Sequence, residues 1–256
     1  MAAKLALVTG ASGGLGLEFA KLLARAGYDL ALVARSAEKL TAIAQQLETE
    51  FGIHAQPIAL DLATPDAAAQ LFACVPSCDV LVNNAGFANS GKFAQIDEND
   101  IAQELQLNVV TLSELTRSYL PGMLQRSDGK VLNVASTAGF VAGPNMAVYY
   151  ATKAYVISFS EALATEVRGT GVSVTVLCPG ATATGFQQRA RQQSMLLVRL
   201  GLADAAKVAK AGFEGMMRGK TMVIPGITNV LVANAPKFTP RRLLTWVSAR
   251  LIAAGK

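Results

Sequence analysis

Histidine occurs once, at His54, and cysteine three times, at Cys74, Cys78 and Cys178. A lone histidine leaves no basis for an imidazole zinc site or a histidine-based nucleophilic triad. The cysteines are odd in number and lack CxxC spacing. They therefore read as reduced thiols of a cytoplasmic protein and not as a disulfide frame. Aromatics are scarce, 6% of the chain with a single tryptophan, while apolar residues reach 52%. That balance suits a parallel sheet wrapped in helices. No unbroken apolar run approaches the length of a membrane span. The N-terminus enters a strand almost at once, without a signal-peptide pattern.

Acidic residues are nearly missing from the last quarter. From Arg189 onward, 12 basic and 2 acidic residues give +10; the preceding part, with 11 basic and 16 acidic, gives −5, and the two make the overall +5. A bias confined to one quarter asks for a local explanation. It does not imply a general affinity for nucleic acid, and no nucleic-acid partner is expected.

What is present is a regular alternation of short apolar runs and longer amphipathic ones. Strands are expected over 5–9, 29–34, 54–60, 80–83, 130–135, 172–178 and 222–224. Helices are expected over 14–26, 37–51, 65–72, 98–125, 148–168 and 203–218. A fully apolar run such as Leu30-Ala31-Leu32-Val33 suits a strand covered on both faces. The alternation predicts an α/β protein: one Rossmann-like, doubly wound parallel sheet with helices on both faces. The 256 residues are expected to form a single dinucleotide-binding domain, with 185–218 as a substrate lid region and 225–256 as a basic amphipathic tail. Ligands bind such sheets beyond the carboxyl ends of the strands, at the switch point.

The first strand runs into Thr9-Gly10-Ala11-Ser12-Gly13-Gly14-Leu15-Gly16, and an amphipathic helix follows. Strand, glycine turn and helix in this order are what a dinucleotide site requires. Gly10 permits the tight turn, Gly14 a close backbone approach to the ligand, and Gly16 close helix packing; Ser12 and Leu15 belong to the same cradle. An NAD site places a carboxylate at the end of the second strand. This chain has Val33-Ala34-Arg35-Ser36 there instead. Arg35 can pair bidentately with a 2′-phosphate and Ser36 can donate alongside, so NADP(H) is the expected cofactor. Asp61, followed by Leu62, can accept from the adenine amino group or cap the next turn. Asn84, in Asn83-Asn84-Ala85-Gly86, can hold backbone near the cofactor or serve the turn alone.

Tyr149 and Lys153 stand four residues apart and so share one helix face. A phenol has an ordinary pKa near 10. A neighbouring ammonium and the cation of an oxidised nicotinamide both favour phenolate and bring the group toward general acid–base work. Tyr150 lies three residues before Lys153 and competes for the role. Ser136 ends the fifth strand, where it can donate to a developing oxyanion. Asn108 sits mid-helix, where asparagine is a poor choice, and can hold a water linking Lys153 to solvent or be a buried, locally satisfied amide. Phe87, Phe93, Phe140, Met146 and Phe186 flank these motifs as candidate pocket walls for an apolar substrate.

TGxxxGxG, NNAG, a serine thirteen residues before YxxxK, and a later PG with a threonine four residues after the glycine appear in order. In this the chain resembles the short-chain dehydrogenase/reductase family over essentially its whole length. Arg35 and the tail, which replaces the usual glycine-rich finish, look like the branch of hydroxysteroid and 3-ketoacyl-CoA reductases. The resemblance favours Tyr149 over Tyr150 and implies catalytic roles for Asn108, Ser136, Tyr149 and Lys153. It also implies cofactor contacts from Tyr149, Lys153, Pro179, Gly180, Thr182 and Thr184. The expected activity is hydride transfer between NADPH and a small-molecule carbonyl or secondary alcohol. An idle NADPH-binding sensor or assembly protein is the alternative. A homo-oligomer, dimer or tetramer, is implied through the helices at 98–125 and 148–168. In the tail, Thr239-Pro240 reads as an N-cap and first helical residue, with Leu244, Val247, Leu251 and Ala254 at helical spacing. This helix is expected to pack on its own domain or on a partner subunit in preference to a membrane surface.

Overall fold

The computed structural model describes residues 4–184 and 202–253. Seven strands form one wholly parallel sheet: β1 (Leu5–Thr9), β2 (Asp29–Ala34), β3 (Ala55–Ala59), β4 (Val80–Asn83), β5 (Gly129–Val134), β6 (Val172–Leu177) and β7 (Met222–Val223). The spatial order is β3-β2-β1-β4-β5-β6-β7, so the winding reverses between β1 and β4. The connecting helices are α1 (Gly14–Arg25), α2 (Ala37–Phe51), α3 (Ala67–Cys74), α4 (Glu98–Leu105), α5 (Leu112–Arg126) and α6 (Ala147–Glu166). After the undescribed residues come α7 (Ala205–Met217), α8 (Ile227–Asn234) and α9 (Arg241–Ala253).

Successive side chains of a strand point to opposite faces, and here both faces are dry. Val8, Leu30, Leu32, Val82 and Leu132 pack against Phe19 and Leu23 of α1, Leu40 and Leu47 of α2, and Val208 and Met216 of α7. Leu7, Ala31, Val33, Leu81 and Val131 face the other way, onto Leu71 of α3, Leu115, Tyr119 and Met123 of α5, and Leu163 of α6. That double burial is why the strand runs are apolar without alternation. Each large aliphatic side chain so buried contributes about 1.5–3 kcal/mol.

Local chemistry sets the helix ends. Ser36 caps α2, Asp97 caps α4 and Asp204 caps α7, each accepting from a backbone N–H of the first turn. Gly52 closes α2 in the left-handed region at φ 68°.

Four expectations change. The helix expected over 98–125 is broken by a π turn at Gln106–Thr111, which holds Asn108. Residues 205–217, within the expected lid region, form a core helix against α1, with Val208, Ala209 and Met216 buried. The remainder expected as a lid, 185–201, and with it Phe186, lies outside the described residues. The tail holds two helices where one was expected. Pro240 precedes α9 and is not its first residue, because its carbonyl accepts from Leu243 and Leu244; Thr239 lies one step further out. Among the described residues, no helix is long and apolar enough to cross a membrane.

Candidate active site

The glycine turn sits at the carboxyl end of β1, beside the switch point. Gly10 and Gly14 take φ of 69° and 56°, the left-handed region that side chains resist. Gly16 is required for a different reason: a Cβ there would lie 2.2 Å from the Gly10 carbonyl oxygen. The helix therefore starts in contact with its own entry loop, and its first N–H groups open toward the strand ends. Asn84 holds this arrangement from outside. Its amide donates to the Thr9 carbonyl at 2.8 Å and more weakly to that of Gly10 at 3.4 Å. The Thr9 hydroxyl accepts from the N–H groups of Asn84 and Ala85. Asn84 thus fastens the loop through its amide. Asn83 points the other way, donating to Thr116 and Asn133 in the core.

Ser136, Tyr149 and Lys153 converge where β5 ends and α6 begins. Ser136 hydrogen-bonds the Tyr149 hydroxyl and also accepts from the Ala138 N–H at 3.1 Å. Lys153 Nζ stands 5.7 Å from the Tyr149 ring centroid and donates to the Val134 carbonyl at 2.9 Å. Asn108 is buried, and its side chain is committed to structure: Nδ2 donates to the Phe87 carbonyl at 2.8 Å and to Thr152, while Oδ1 accepts from the Phe87 N–H. It still lies close to the lysine. A Cβ at Gly86 would stand 3.0 Å from Asn108 Oδ1 and 3.6 Å from Lys153 Nζ.

Burial pushes the Tyr149 phenol above its ordinary value; the Ser136 hydrogen bond opposes the rise, and Tyr150 and Glu104 add to it. The expectation was that Lys153 and an oxidised nicotinamide together favour phenolate; among the protein groups, burial sets the direction, and it is upward. Lys153 is itself lowered to about 8 by burial, with Cys178 and Glu104 resisting the fall. Tyr150 is a packing residue. Its ring meets that of Tyr149 edge-on at 6.1 Å, and its hydroxyl pairs with Ser248 of α9.

On the cofactor side, Arg35 is exposed at the end of β2, with Ser36 as the α2 cap beside it. Asp61 accepts from the Ala63 N–H at 3.0 Å, which is the turn-capping role of the two open to it. Leu62 is buried, and its carbonyl accepts from Thr111. Leu15 packs on the core under α1, while Ser12 lies half-buried in the turn. After β6, the Pro179 carbonyl accepts from Thr137 N–H and Ser136 Oγ. Gly180 lies so close under Asn229 of α8 that a Cβ would meet that side chain. Thr182 bonds the Gly180 carbonyl, and Thr184 faces Gly14 at the distance where a Cβ would touch it.

Not all the residues expected to line a pocket gather around Tyr149. Met146 packs with Tyr149 and Ala138, but Phe140 joins a different cluster with Val156 and Cys178, and Phe93 is 60% exposed. Three residues that the sequence did not single out surround the two tyrosines: Ala88 after β4 and Ile252 of α9 pack with Tyr149, and Ser248 of α9 pairs with Tyr150. Glu104 is a fourth unforeseen residue, fully buried on α4. Its place in an acidic, solvent-like stretch gave no signal of burial.

This combination of fold and site defines a class. The family model for short chain dehydrogenase matches residues 4–195, and the chain belongs to that family. It is 38% identical to the very-long-chain 3-oxoacyl-CoA reductase of Laccaria bicolor over 175 residues, which are 66% of this chain and 52% of that protein. The chain thus matches about half the length of that relative. Among solved structures, it is similar to a short-chain dehydrogenase from Sphingobium yanoikuyae in complex with NADPH. There the TM-score is 0.84 and the identity 31%, over 91% of this chain and 92% of that one. A 7beta-hydroxysteroid dehydrogenase is similar at TM-score 0.85 and 25% identity, over 96% of both chains. The branch expected from Arg35 and the tail is represented among these relatives.

Proposed function

We propose that this chain is an NADPH-dependent reductase that interconverts an apolar carbonyl compound and its secondary alcohol. The convergence of Ser136, Tyr149 and Lys153 beside the glycine cradle carries the reading. The residues fit the cofactor: Gly16 admits no side chain, the start of α1 offers free N–H groups, and Arg35 is a free-standing cation where a 2′-phosphate belongs. Thr182, Thr184, Pro179 and Gly180 are proposed to line its nicotinamide end.

Bound NADPH supplies the hydride. Tyr149 donates its phenolic proton to the substrate oxygen, and its raised pKa keeps it protonated, the form that reduction needs. Ser136 Oγ–H donates to the same oxygen and fixes the carbonyl in place. Lys153 keeps a positive charge near the tyrosine and holds the cofactor's ribose. Asn108 braces the Phe87 backbone that borders the site.

The apolar surroundings of Tyr149, from Ala88, Met146 and Ile252, support an apolar substrate, and the resemblance to very-long-chain 3-oxoacyl-CoA reductases supports a 3-ketoacyl thioester. The exposed Leu105, Val110 and Tyr155, on the two helical segments expected to pair subunits, support a homo-oligomer. The cysteines are free, consistent with the proposed cytoplasmic location. We test the reading by following NADPH absorbance with a panel of 3-ketoacyl thioesters, ketosteroids and simple ketones. Turnover that rises with apolar bulk is expected. Tight NADPH binding without turnover on any of them would leave the idle-sensor reading in its place.

A further inference from the structure

Glu104 lies wholly buried on α4, one helical turn before Asn108. The two side chains act on neighbouring stations of the same loop. Asn108 grips both the N–H and the carbonyl of Phe87. Glu104 Oε2 accepts from the Asn89 N–H and from Asn89 Nδ2, each at 3.0 Å. Asn89 Nδ2 is also tied to the Asp100 carbonyl. Between these two grips lies Ala88, 1% exposed and packed with Tyr149, Met146 and Ile252. The other carboxylate oxygen, Oε1, is buried and has no hydrogen-bond partner among the described residues. A polar oxygen left so is costly and rarely kept for packing alone.

We propose that Glu104 is a positioning residue of the active site: its carboxylate straps the Ala88–Asn89 segment against Tyr149 and supplies the negative charge that keeps buried Lys153 an ammonium. This inference rests on the reductase reading above. The charged and titratable groups that face Glu104 are Lys153 and Tyr149 from α6 and Asp100 on its own helix, and Lys153 is also faced by Cys178 at the end of β6. Lys153 favours the ionised carboxylate, and Asp100 opposes it. Burial outweighs both and holds the carboxyl at about 7, so its charge changes within the working pH range.

Two measurements test this, using Glu104→Gln, which keeps the shape and removes the charge, and Glu104→Met, which removes both. The first is thermal melting of the full chain between pH 4 and pH 9, and it needs no turnover. A carboxyl raised in the folded state favours folding below its unfolded pKa, and that advantage is lost as pH rises through about 7. The melting point of the wild-type protein should therefore fall relative to Glu104→Gln from about pH 4.5 to about pH 7 and then run parallel. The second is the pH profile of kcat/KM with NADPH and an accepted carbonyl substrate. Loss of the carboxylate lets Lys153 lose its proton earlier, so the alkaline limb of Glu104→Gln should move down by roughly one pH unit. Glu104→Met should add a rise in KM, because Asn89 loses its acceptor. A merely structural Glu104 would lower activity evenly across pH. A melting difference flat with pH, or an alkaline limb unmoved in Glu104→Gln, overturns the proposal. A wild-type protein that turns over no carbonyl overturns the reductase reading instead, and the melting comparison still decides whether Glu104 carries a titrating buried charge.

Discussion

Gly16→Ala is the sharpest perturbation the cradle allows. The added Cβ would stand 2.2 Å from the Gly10 carbonyl oxygen, 2.7 Å from Asn84 Nδ2 and 2.8 Å from the Gly10 carbonyl carbon. All three are inside the 3.0 Å that real Cβ atoms essentially never cross. The nearest obstacle is backbone, so no rotamer change relieves it. Gly10 is also pinned, by its left-handed φ of 69° and by the Asn84 amide. The loop must shift by about 1 Å, and overpacking of this kind costs about 1–3 kcal/mol. For a chain of this size each kcal/mol lowers Tm by about 2–4 °C, so a fall of roughly 2–12 °C is expected. NADPH should bind at least about tenfold more weakly, since about 1.4 kcal/mol of lost fit is a factor of ten. Gly13→Ala is the matched control. Its φ of 167° is extended, and nothing lies within 4 Å of its added Cβ. Differential scanning fluorimetry and NADPH fluorescence titration on both variants decide the matter. If Gly16→Ala melts and binds like the wild-type protein, the close approach of α1 to the loop does not shape the site.

Tyr149→Phe should lower kcat by about 10²–10⁴-fold, the range for loss of a general acid, while NADPH titration stays near wild type. A near-normal rate would move the role to Tyr150. Arg35→Asp should reverse a preference for NADPH over NADH of roughly ten- to hundredfold, since one charge-assisted pair contributes about 1.5–3 kcal/mol; equal use of both cofactors by the wild-type protein would refute the reading of Arg35. Removing residues 237–256 takes away Ser248 and Ile252, which back Tyr150 and Tyr149. Substrate KM should rise and solubility fall while NADPH affinity holds. Flotation of the full chain with anionic liposomes, alongside a truncated chain that stays folded and fully active, would instead make α9 a membrane-facing element.

The parts of the molecule legible in sequence are those whose cause is local. The strand–glycine–helix order at 5–25 follows from runs and turns a few residues long, and the boundaries of β1, β2, β4 and α2 agree with it residue for residue. The four-residue spacing of Tyr149 and Lys153 is a property of one helix, and Arg35 stands out because the residue type at a strand end is plain to read. Tertiary contact decided the rest. Glu104 sits among Glu98, Asp100 and Gln103, like any solvated helix face. It is buried, and its carboxylate accepts from Asn89 of the loop after β4. The π turn carries Asn108, whose side chain bonds Phe87 in that loop, 21 residues away. The direction of the Tyr149 shift depended on how much water the fold excludes, which spacing to Lys153 does not report. The contact of α9 with the tyrosines came from the pairing of Ser248 with Tyr150, across nearly a hundred residues of chain. Periodicity and turn chemistry act over a few residues and can be read along the chain. Dehydration and through-space pairing depend on which distant segments meet, and only the folded arrangement contains that information.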